Sequence, residues 1–106
     1  MRSIGERPND PALLVLTSLA DGPKHGYAIT ADVEEFAGVR LGPGTLYGAL
    51  ARLEDRGLIE SLPADDRRHP YRLTSIGKTA LEQQLRSLEA VTTRGLTRLR
   101  TAEVAP

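Results

Sequence analysis

Apolar side chains recur along this chain in blocks separated by glycine and proline. From Pro11 to Ala20 (PALLVLTSLA) almost every position is apolar, which predicts a short buried helix. Asp10 supplies its N-cap, Pro11 suits its first turn, and Asp21-Gly22-Pro23 stops it. Ile29, Val33 and Phe36 follow at +4 and +3, the core stripe of a second helix running from Lys24 to about Ala37 and ended by Gly38. Leu46, Leu50 and Leu53 repeat that spacing in a third helix, opened by Gly42-Pro43-Gly44 and closed by Gly57.

The rhythm then changes. Leu58–Leu62 is rich enough in branched aliphatics for a strand, Pro63–His69 is a polar turn, and Pro70–Thr74 alternates. Tyr71 and Leu73 fall on one face there and Arg72 on the other, so the two runs predict an antiparallel hairpin. Thr74 or Ser75 caps a last helix beginning near Ile76, with Ile76, Ala80, Leu81, Leu85, Leu88, Val91, Leu96 and Leu99 as its apolar positions. Gly95 costs about 1 kcal/mol relative to alanine inside a helix, which predicts a bend or fraying after Thr92-Thr93.

Three short helices, a hairpin and a long helix make a mainly α chain with a small β-hairpin: a winged helix-turn-helix plus a long C-terminal dimerisation helix. The division expected is a flexible arm at 1–9, a winged helix-turn-helix DNA-binding domain at 10–74, a dimerisation helix at 75–101 and a tail at 102–106. Leu81, Leu85, Leu88, Val91 and Leu96 form an apolar seam that a core of this size does not fully cover, so they are the expected homodimer interface, the early leucines sharing the subunit's own core.

Composition narrows the function. With 106 residues, 40% hydrophobic and 26% charged, the chain reads as one ordinary globular domain. It lacks cysteine, which removes disulfides, thiol catalysis and thiolate-bound zinc together. No apolar run approaches the ~20 residues of a membrane span, and residues 1–10 are too polar for a signal peptide, so a cytoplasmic protein is expected. His25 and His69 are far apart and no nucleophile stands beside a base, so neither an enzyme nor a cofactor is expected. The net charge of zero is low for a nucleic-acid binder. Residues 40–72 hold six arginines against Glu54, Asp55, Glu60, Asp65 and Asp66, so the distribution of charge must provide what the total does not.

Given the fold, the third helix is the recognition helix. Thr45, Tyr47, Gly48 and Arg52 point away from its leucine stripe; hydroxyls bond phosphate oxygens, glycine permits close approach, and arginine reaches a phosphate or a guanine edge. Arg67, Arg68 and His69 at the wing tip are candidates to clamp the neighbouring groove or backbone, projecting past Asp65 and Asp66. At the start of the second helix, Lys24 is the expected phosphate contact, while Tyr27 is expected to pack. The runner-up reading is a winged helix that binds protein and never touches DNA, favoured by the neutral total charge.

Four segments in this order carry a family resemblance: Gly22-Pro23-Lys24-His25-Gly26-Tyr27, Thr45-Leu46-Tyr47, Leu53-Glu54-Asp55-Arg56-Gly57-Leu58-Ile59, and Arg67-Arg68-His69-Pro70-Tyr71-Arg72-Leu73-Thr74 with Gly77. Over about Asp10 to Leu88 the chain resembles the PadR family of bacterial transcriptional regulators. That resemblance implies a homodimeric repressor, dimerised through its C-terminal helix, on a palindromic double-stranded DNA operator beside the genes it controls. It also implies release by a small effector, as is frequent in the family. Members that hold flat drugs do so between tryptophans, and this chain has none.

Overall fold

The computed structural model describes residues 9–64 and 68–102. The arm expected over the first residues, the tail beyond 102, and Asp65, Asp66 and Arg67 of the wing tip lie outside the described residues.

The first helix, α1 (Pro11–Ser18), starts where the sequence places its caps: the Asp10 carboxylate accepts from the Ala12 amide at 2.9 Å and Pro11 fills the first turn. Its buried residues go all the way round, Leu13, Leu14, Val15, Leu16 and Ser18, so it is the central rod of the core. It tightens into a 3-10 turn over Leu19–Asp21. The one buried polar side chain of that rod is satisfied, because Ser18 Oγ donates to Asp32 Oδ2 of the next helix at 2.7 Å.

Helix α2 (Gly26–Ala37) buries Ile29 and Val33 against α1 and ends at Gly38, whose φ of 68° is the left-handed cap a side chain would strain. Phe36 departs from the predicted stripe. It is 47% exposed, since the core closes one turn earlier and the last turn of α2 projects beyond it. Helix α3 (Pro43–Asp55) buries Leu46, Ala49, Leu50 and Leu53. Strands β1 (Ile59–Ser61) and β2 (Tyr71–Leu73) pair antiparallel with Ile59 opposite Leu73, Glu60 opposite Arg72 and Ser61 opposite Tyr71. Both are shorter than the sequence suggests. Arg72 donates from Nη2 and Nε to Glu60 Oε1 at 2.7 and 2.9 Å across the pair, so this guanidinium is spent inside the wing.

A contact absent from the sequence pattern ties the hairpin to the helix-turn-helix. Lys24 and Tyr71 exchange backbone hydrogen bonds of 3.1 and 2.9 Å, an isolated antiparallel bridge just before α2. The root of the wing is thereby fixed beside the N-terminus of α2.

Helix α4 (Ser75–Thr101) is capped by Thr74, whose Oγ1 accepts from the Gly77 amide at 3.0 Å and donates to the Gly57 carbonyl at 2.6 Å. One hydroxyl thus joins the end of α3 to the start of α4. The helix continues through Gly95 to Thr101, so the fraying expected after Thr92-Thr93 does not occur. At ~1.5 Å per residue its 27 residues extend about 40 Å, and the core reaches only as far as Leu88. Its first turn meets the residue just before β1 so closely that a Cβ on Gly77 would lie 1.9 Å from the Leu58 carbonyl oxygen.

Candidate nucleic-acid interface

Burying Leu46, Leu50 and Leu53 turns the opposite face of α3 outward. Thr45, Tyr47 and Arg52 are exposed on it and Gly48 is half-buried. Arg52 folds back along the helix, with Nη1 3.5 Å from where a Cβ on Gly48 would stand, and it has no ion-pair partner among the described residues. The absence of a side chain at Gly48 leaves that guanidinium a bare stretch of helix to lie on. Tyr47 leans the other way, toward α2, where its hydroxyl rests over Gly26.

The bridge between Lys24 and Tyr71 brings the wing to the same place. Arg68 Nη1 lies 3.4 Å from His25 Nε2, while His25 Nδ1 accepts from the Ala28 amide at 3.4 Å and so caps α2. His25, Tyr27, Tyr47, Arg68, His69 and Tyr71 surround a cleft of about 340 Å³ between α2, α3 and the wing. Polar hydrogen donors, the Arg68 guanidinium and the positive end of α2 converge here, a chemistry suited to phosphate oxygens. Tyr71 has its hydroxyl pushed above the ordinary tyrosine range, first by burial and then by the charge of Glu54 and by Tyr47, so it stays protonated.

Two expectations change here. Lys24 is not open to a ligand: its Nζ donates to the Ser18 carbonyl and to the Asp21 carboxylate, and its side chain is 19% exposed. The ammonium closes the 3-10 turn, and its hydrogen bond and charge hold the Asp21 carboxyl below the usual range. Tyr27 is the reverse case. Expected to pack, it stands 80% exposed at the rim of the cleft. Its position two residues before Ile29, on the far side of the Ile29–Val33 stripe, is the signal that would have found it. Arg67, expected beside Arg68, lies outside the described residues.

The seam on α4 divides. Leu81, grouped with the dimer positions, is 4% exposed and belongs to the core of its own subunit, because the first turns of α4 close over α1. Leu88 packs partly on that core, whereas Leu85, Val91, Leu96 and Leu99 are exposed. Leu85, Leu88, Leu96 and Leu99 share one stripe at helical spacing, and Val91 falls at its margin. Among the described residues no helix is long and apolar enough to cross a membrane, and no group of His, Asp or Glu could hold a metal ion.

Residues 15–83 match the model of the transcriptional regulator PadR-like family. The chain belongs to the PadR-like family. It is accordingly a transcriptional regulator and not an enzyme. Among curated proteins it is 41% identical over 80 residues to the transcriptional regulator Rv3488 of Mycobacterium tuberculosis, covering 73% of this chain and 74% of that one. It is 52% identical over 82 residues, 77% of this chain, to an uncharacterized 37.1 kDa protein in transposon TN4556 of Streptomyces fradiae, of whose length those residues are 24%. The match therefore spans about a quarter of that relative. A crystal structure of a PadR family transcription regulator from Clostridium difficile superposes with a TM-score of 0.66 at 33% identity, covering 79% of this chain and 95% of that one. The matched residues run from α1 through the wing into the first turns of α4.

Proposed function

We propose that this PadR-like regulator is a homodimer that binds a palindromic double-stranded DNA operator and represses neighbouring genes or its own, acting in the cytoplasm. In this reading the 10–74 region binds DNA and α4 joins the two copies. The observation that carries it is the convergence of Tyr47 of α3 with Arg68 and His69 of the wing around one cleft, with the unpaired Arg52 exposed farther along α3. Helix α3 enters the major groove with Thr45, Tyr47, Gly48 and Arg52 foremost, and Arg67, Arg68 and His69 lie along the adjoining backbone. Any small effector would act by changing the geometry between the two α3 helices.

The test is a titration of the purified protein against DNA upstream of its own gene. Saturable binding to a site with half-sites about one helical turn apart is expected. Much of the positive charge is internally paired, Arg40 with Glu34 and Arg72 with Glu60. About four to six phosphate contacts per dimer then weaken affinity by roughly 10²–10³-fold between 50 and 200 mM salt. No binding at low salt that survives competitor DNA would reject the regulator–operator reading and favour a protein-binding winged helix.

Dimerisation is tested separately. With Leu96→Asp and Leu99→Asp together, light scattering should report one chain of 11.5 kDa where the parent reports two. Both positions lie beyond the subunit's own core, so the thermal midpoint of the winged helix should hold. A double variant that remains a dimer would move the interface elsewhere.

A further inference from the structure

We propose that Gly26 is a positioning residue for DNA recognition: the bare first turn of α2 seats the Tyr47 ring and aims its hydroxyl. This rests on the DNA-binding reading above and says how one of its contacts is set. A Cβ built on Gly26 would lie 2.7 Å from the Tyr47 hydroxyl, 3.2 Å from Cζ of the ring and 3.4 Å from Leu46 Cδ2. The first distance is closer than real Cβ contacts come, while the last is ordinary packing. An added methyl therefore collides with the end of the Tyr47 ring and spares the core.

Backbone conformation does not call for glycine here. The positive-φ glycines among the described residues are Gly22, Gly38 and Gly57, and Gly26 is not one of them. Gly26 is the first residue of α2, where the helix itself does not require glycine. What glycine supplies is space, and the ring of Tyr47 occupies it. Tyr47 is still 54% exposed, so part of the ring stays open while its hydroxyl end rests on α2. A tyrosine on an open helix face samples several rotamers; pressed against α2 it presents the hydroxyl in one place, and less ordering remains to be done on binding. The seat also sets the Tyr47 hydroxyl against the cleft that Arg68 and His69 line.

The experiment is a double-mutant cycle on the full chain: parent, Gly26→Ala, Tyr47→Phe and the two combined. Affinity for the operator is measured at one salt concentration, and the Tyr47 ring resonances are followed by NMR without DNA. Gly26→Ala should stay folded, since the ring swings outward, and should bind about tenfold more weakly, the worth of one good contact. Tyr47→Phe loses the hydroxyl contact but also relieves the collision. The combined variant should thus bind no worse than Tyr47→Phe alone. Losses that simply add, or a Gly26→Ala variant that binds like the parent, would overturn the proposal.

Should the parent bind no DNA, the operator reading falls, and the ring resonances alone then judge the seat. A shift in Gly26→Ala supports it and unchanged resonances refute it. Should Gly26→Ala fail to fold, recovery of folding in the combined variant would report the same collision, and failure of both would overturn it.

Discussion

Gly77→Ala is expected to lower the unfolding free energy by about 3 kcal/mol, the upper part of the range for overpacking a rigid site. The added methyl would stand 1.9 Å from the Leu58 carbonyl oxygen and 2.8 Å from its carbon. Both are backbone, so no side chain can swing aside. Nor can Leu58 retreat cheaply, because its carbonyl accepts from the Thr74 amide at 3.1 Å and its amide donates to the Leu53 carbonyl at 3.0 Å. The roughly 1 kcal/mol that alanine returns in helix propensity offsets only part of the cost. Urea unfolding of the two proteins measures the difference. Equal midpoints would mean that α4 shifts against Leu58 far more freely than its Thr74 anchor allows.

The second large effect is on binding. Tyr47→Ala combined with Arg52→Ala should weaken operator binding by more than about a hundredfold, since each side chain is worth ~1–3 kcal/mol as a groove or backbone contact and both occur twice in a dimer. Both side chains are exposed, so the thermal midpoint should stay within about a degree or two and the protein should remain dimeric. Fluorescence anisotropy with a labelled operator, alongside light scattering, separates the two outcomes. Undiminished binding by this variant would relocate the reading surface to the wing and the α2 rim.

These expectations follow from different layers of information. The three leucines of α3 are read from the chain because helical spacing alone puts Leu46, Leu50 and Leu53 on one side, and by exclusion gives Tyr47 and Arg52 the other. The caps at Asp10, Gly38 and Thr74 are equally local: each depends on one residue and the amides or carbonyls within a turn of it. Phe36 marks the boundary of such reasoning. Its spacing is right for the core, but whether a core extends far enough to cover it depends on where α1 ends.

Electrostatic roles are still less local. From the chain, Lys24 is a cation at a helix start and Tyr27 an aromatic beside a core stripe. Which of them is free depends on the 3-10 turn that folds Ser18 and Asp21 back onto Lys24. The same holds on α4, where Leu81 and Leu96 are alike in type and spacing. One is consumed by the core and the other stays exposed, because α4 outruns the rest of the fold.

Short-range periodicity and end chemistry therefore carry the order of elements, the buried stripe of each helix and the resemblance to a family of regulators. They suffice because a helix or hairpin is specified by residues within a few positions of one another. Folding in three dimensions decides what no spacing rule contains: the bridge from Lys24 to Tyr71 that brings Arg68 to His25, the seat of Tyr47 on Gly26, and the contact of Gly77 with Leu58. Each joins residues about 20 or more positions apart, at separations where a single methyl group is enough to force a rearrangement.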